Sequence, residues 1–98
     1  MKSSYAKKID ANQVEIVKAL RKAGAWVGHV HAIPNFFDIL VIHKGRYYCV
    51  EIKDGNNIPS KRRLTAGELK CKEQIEQAGG VYHVVESVEQ ALSMIGEK

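Results

Sequence analysis

Three residues near the middle of the chain could do chemistry together: Asp38, Glu51 and Lys53. Asp38 interrupts the apolar run from Phe36 to Ile42, and Glu51 and Lys53 close the strand-like segment Arg46 to Lys53. Acidic residues inside otherwise hydrophobic strands need a reason, because carboxylates are rarely buried unless paired. If the chain reverses at Lys44-Gly45, Asp38 lies directly opposite Glu51, with Cβ atoms about 4.5–5.5 Å apart. Two anions so placed repel, and a divalent cation removes the conflict. Mg²⁺ characteristically takes one or two carboxylates and completes its shell with water and phosphate oxygens. Lys53, two residues beyond Glu51, shares its face. A cation there can orient a water or neutralise charge on a phosphoryl group. The side chain of Ile52 points to the opposite layer, but its carbonyl is a further oxygen donor. A one-residue slip would send the two acids to opposite faces. The simpler alternative is an exposed Glu51 paired with Lys53 or Arg46.

The elements that must position these residues follow from periodicity. Asp10 as cap, with Gln13 three residues on, opens a helix over 10–23, with Ile16, Val17, Leu20 and Ala23 on its apolar stripe and Gly24 as its stop. Strands follow over 26–33, 36–43 and 46–53. The last two are apolar on both faces, which suits a central position covered on two sides. Residues 54–64 form the longest break. Thr65 and Glu68 make a second capping box, and its helix runs through Gln77 to Gly79-Gly80. A fourth strand over 81–85 and a helix opening at Ser87 complete the chain. The short connections predict an antiparallel meander, and the strand–helix–strand return predicts a parallel crossover. The expected architecture is an α/β (α+β) fold with a mixed four-stranded sheet, helices on both faces and a C-terminal helix.

Size and charge narrow the function. The 98 residues suit one domain, 1–98. Fifteen Lys and Arg against eleven Asp and Glu give a formal charge of +4, which permits an anionic partner without requiring one. Two cysteines, Cys49 and Cys71, make no disulfide framework or zinc motif, so a reducing, intracellular setting is expected. No apolar stretch is long enough to span a bilayer, and the polar N-terminus leads into no signal core. His29 and His31 share a strand face, but no third zinc ligand accompanies them. Lys61-Arg62-Arg63, after the third strand, suits a phosphate backbone, although such runs are commonly just solvated. Lys7, Lys8, Lys18, Arg21 and Lys22 could extend that basic surface.

The segments Phe36-Phe37-Asp38-Ile39-Leu40-Val41 and Cys49-Val50-Glu51-Ile52-Lys53-Asp54, in this order of elements, resemble the PD-(D/E)xK nuclease superfamily. The closer resemblance is to the VRR-NUC (virus-type replication–repair nuclease) domain in its compact stand-alone form, over roughly residues 10–95. The resemblance implies a restriction-endonuclease-like αβββαβ core. It implies Mg²⁺ or Mn²⁺ held by Asp38, Glu51 and the Ile52 carbonyl, with Lys53 as the catalytic lysine. Glu15 would match the acidic residue that the family carries on its first helix. Two positions depart from the pattern: Phe37 replaces the proline that often precedes the Asp, and Glu68 stands where a Gln is usual. Glu68 is a candidate site contact. The implied activity is hydrolysis of DNA phosphodiesters, structure-selective on branched DNA such as four-way junctions. A one-site domain would do this as a homodimer, in the cytoplasm of a bacterial or phage-infected cell. The competing reading keeps the fold as a non-catalytic DNA-binding module. A third makes it a toxin or interaction domain with an incidental Glu-x-Lys.

Overall fold

The computed structural model describes residues 11–97. The cap assigned to Asp10 and the cations Lys7 and Lys8 lie outside the described residues. Helix α1 (Ala11–Lys22) buries Gln13, Ile16, Val17 and Leu20 along one stripe and ends before Gly24. Strand β1 (Trp26–His29) pairs antiparallel with β2 (Ile39–His43), which pairs antiparallel with β3 (Arg46–Ile52). A short helix α2 (Pro59–Arg62) and a longer α3 (Ala66–Gln77) lead to β4 (Tyr82–Val85), parallel to β3. Helix α4 (Val88–Met94) closes the chain, its start capped by the Ser87 hydroxyl accepting from the Gln90 N–H.

The sheet runs in the order β1-β2-β3-β4, with helices on both faces, as expected. One layer packs Ile16, Val17, Leu20, Ala91 and Ile95 against Val27, Ile39, Val41, Val50, Ile52 and Val85. The opposite layer sets Cys71 and Ile75 of α3 against Phe37, Tyr82, Leu40 and Cys49. Burial pushes the pKa of both free thiols up. No helix among the described residues is long and apolar enough to cross a membrane.

The β2–β3 hairpin sets the register. Lys44 and Gly45 both adopt positive φ, 51° and 79°, the two-residue turn whose twist matches the flanking strands. It aligns His43 with Arg46 and, at the far end, Ile39 with Val50. This is the register expected from the sequence. The boundaries differ in two places. β1 ends at His29 and β2 begins at Ile39, because 31–35 turns through Pro34 and a left-handed Asn35 (φ 56°). Phe36 and Phe37 are therefore loop residues, held by packing in the α3 layer and by the Tyr82 hydroxyl donating to the Phe36 carbonyl at 3.2 Å. The expected break over 54–64 contains α2, started by Pro59, whose missing N–H is no loss in a first turn.

A Cβ at Gly45 would meet no atom within 4 Å, so only its backbone conformation resists substitution. Gly45→Val should lower folding stability by about 1–2 kcal/mol, and Lys44→Gly should not. Urea denaturation checks this, and an unchanged midpoint in Gly45→Val would contradict it.

Candidate functional site

Asp38 sits one residue before β2, where the ladder gives way to the loop. Its backbone is fixed on both sides: its N–H donates to the Val50 carbonyl and its carbonyl accepts from the Val30 N–H, each at 3.0 Å. Its carboxylate Oδ2 accepts from the Ile52 N–H at 2.8 Å. The side chain thus takes the place of a strand partner for β3. Asp38 and Glu51 are only 3% and 1% exposed. Together they line a cavity of about 350 Å³ with Gln13, Ile52, Lys53, Asn57, Lys61 and Arg63.

Lys53 is held from two sides. Its Nζ lies 3.3 Å from Glu51 Oε2 and 2.9 Å from Glu68 Oε1. Burial alone would lower its pKa. The hydrogen bond that Lys53 donates to Glu68 and the charges of Glu51 and Glu68 outweigh that, and its pKa is raised above the usual lysine value. Glu68 has two tasks. Its Oε1 accepts the Thr65 N–H at 3.0 Å while the Thr65 hydroxyl accepts the Glu68 N–H at 3.2 Å, the capping box that starts α3. The same oxygen accepts from Lys53. Burial opposes ionisation of Glu68, but the Thr65 N–H and Lys53 prevail and bring its pKa down to about 2.

Asp38, Glu51, Lys53, the Ile52 backbone and Glu68 are therefore brought together. Glu15 is not among them. It is exposed and lines a neighbouring cavity with Asn12, Asp54, Glu86 and Glu89. The α1 residue facing the acid cavity is Gln13, only 2% exposed, with its amide nitrogen 3.4 Å from His29 Nδ1. Beside it, Asn12 donates to the Lys53 carbonyl at 2.9 Å and pins the start of α1 to the end of β3. Gln13 lies three and four residues before Ile16 and Val17, on their stripe, whereas Glu15 does not. That spacing was the available signal. The basic run also divides: Lys61 and Arg63 line the acid cavity, while Arg62 turns to Glu86 at 3.5 Å.

The donor set fits a hard divalent cation. Asp38, Glu51 and Asp54 line the cavity with Lys53, Lys61 and Arg63, and the carboxyl groups of Asp38 and Glu51 reach it from almost wholly buried residues beside the Ile52 backbone. Carboxylate and carbonyl oxygens are the donors that Mg²⁺ and Mn²⁺ favour. No group of three His, Cys, Asp or Glu side chains able to hold a metal ion occurs among the described residues. The fit is thus to an ion held by few protein ligands, not to a closed cage.

The depressed pKa of Glu68 makes a stability prediction for the metal-free protein. Ionised Glu68 stabilises the fold above its ordinary value of 4.5, and that contribution is lost as pH falls toward about 2. Glu68→Gln should thus be less stable than the parent above pH 4.5, with the gap closing through this window. Urea midpoints measured against pH check it, and a gap independent of pH would contradict it.

No family model and no curated protein matches the chain. Among solved structures, a chain titled "VRR_NUC domain" superposes with a TM-score of 0.64, covering 88% of this chain and 96% of that one at 21% sequence identity. The mixed sheet, its flanking helices and this superposition show that the chain has the fold of a VRR_NUC domain.

Proposed function

We propose that the protein is a Mg²⁺- or Mn²⁺-dependent deoxyribonuclease that hydrolyses phosphodiester bonds at the Asp38–Glu51–Lys53 cavity. The observation that carries this reading is the burial of two carboxylates from adjoining segments against one lysine, in a cavity whose rim bears Lys61 and Arg63. Asp38, Glu51 and the Ile52 carbonyl would hold the ion. A divalent cation supplies Lewis acidity toward the phosphoryl group. Lys61 and Arg63 bind the backbone phosphates flanking the reacting one. Lys53, held at fixed positions by Glu51 and Glu68, offers its ammonium to a phosphoryl oxygen and orients the attacking water. The fold's likeness to a VRR_NUC domain supports nuclease chemistry in general.

Selectivity for branched DNA and a homodimeric state extend this proposal. One domain offers one acid cavity, so cutting two strands of a four-way junction calls for two copies. A cytoplasmic setting goes with the same reading. The second reading, a DNA-binding module without catalysis, is favoured by one observation: Lys53 is already ion-paired with both Glu51 and Glu68.

Labelled duplex, flapped and four-way DNA incubated with Mn²⁺ or with EDTA separates the two. The nuclease reading expects Mn²⁺-dependent cleavage, lowered roughly 10²–10³-fold by Asp38→Asn, Glu51→Gln or Lys53→Ala. Gln13→Ala should slow cleavage and Glu15→Gln should not. Cleavage that survives at Asp38 and Glu51 would refute the site. Binding without cleavage in any metal would favour the module.

A further inference from the structure

The surroundings of the acid cavity are electrostatically uneven. On one side, past Asp54, the neighbouring cavity is lined by Glu15, Asp54, Glu86 and Glu89, with no Lys or Arg among the described residues lining it. On the other side, across Gln13, lies a groove of about 440 Å³ lined by Gln13, Val14, Val17, Lys18, Arg21 and His29. No acidic residue occurs among the described residues lining that groove. Gln13 is the shared wall of acid cavity and groove. A polyanion entering over Lys61 and Arg63 is repelled from the Glu15 side and attracted along α1.

The groove has a floor as well as a charge. Val14, Lys18 and Arg21 fall at positions i, i+4 and i+7 of α1, on one stripe spanning about 10 Å. Val14 is 63% exposed, a bare apolar side chain next to two cations. The guanidinium of Arg21 is anchored by donating to the Val27 carbonyl at 3.1 Å, which fixes its plane at the edge of β1 and leaves other donors for a phosphate. His29 lies beside it, an exposed ring in the groove lining. Duplex DNA meets proteins of this kind mainly through phosphates. Apolar and ring surfaces interleaved with cations instead suit unstacked bases on a single strand.

We propose that the groove along Val14, Lys18, Arg21 and His29 holds a single-stranded segment of polynucleotide that leads out of the acid cavity. The direction of that segment as a path from the reacting phosphate rests on the nuclease reading; its binding does not.

Fluorescence anisotropy in EDTA, with a labelled single-stranded oligonucleotide and a blunt duplex of equal length, tests binding apart from cleavage. Val14→Asp, which sets a carboxylate against the strand in the groove, should weaken single-strand binding about tenfold and weaken duplex binding much less. The double variant Lys18→Ala/Arg21→Ala should lower the slope of log K against log salt for the single strand by about 1.4. Lys44→Ala, the same type of charge change at the hairpin turn away from the groove, should leave the slope at the loss of one diffuse charge or less. Circular dichroism verifies that each variant is folded. Single-strand affinity and slope unchanged in both groove variants would overturn the groove. Equal losses for single strand and duplex would overturn the single-strand assignment. Absence of cleavage with groove-dependent binding intact would sink the nuclease reading and leave the groove standing.

Discussion

Crowding of like charge at the end of β2 and β3 organises this protein. The buried carboxyl groups of Asp38 and Glu51 line one cavity, and the Lys53 ammonium bridges Glu51 to Glu68 at the start of α3. A cluster of this kind is unfavourable by itself, because desolvated anions repel strongly at low dielectric. Each carboxylate is therefore tied to a fixed donor: Asp38 to the Ile52 N–H, Glu51 to Lys53, Glu68 to Lys53 and the Thr65 N–H. These ties recruit the loop before β2, the end of β3 and the start of α3. The fold's least comfortable point is also where its elements are joined most closely.

This arrangement explains why a four-residue helix and an irregular loop surround so regular a sheet. The ladder between β2 and β3 gives way at Asp38, whose side chain replaces a strand partner and whose N–H bonds the Val50 carbonyl. Gln13 lines the cavity from α1, Asn12 ties the start of α1 to the Lys53 carbonyl, and α2 carries Lys61 to the cavity's rim. Local irregularity is concentrated at the acid end of the sheet. The hairpin end follows simple turn chemistry.

Much of this was legible in the sequence, for physical reasons that differ by region. Lys44-Gly45 specifies a tight turn, and the turn alone determines which residues face each other on β2 and β3. The Thr65–Glu68 box is a purely local device, so its spacing was enough to find it. The unread parts depend on tertiary placement. Gln13 read as a cap partner because the buried acids that it faces come from strands far away in sequence. Arg62 read as one of three equivalent cations, but one turn of α2 points it toward Glu86 and away from its neighbours. The second task of Glu68 was half visible: a capping residue can also reach a lysine only when the helix start abuts the end of β3.

The central claim is that Asp38 and Glu51 share a divalent cation. Isothermal titration calorimetry of Mn²⁺ into metal-free protein tests it most directly. Saturable uptake by the parent protein, weakened by more than about tenfold in Asp38→Asn, is the predicted result. No uptake, or equal uptake by parent and variant, would contradict it.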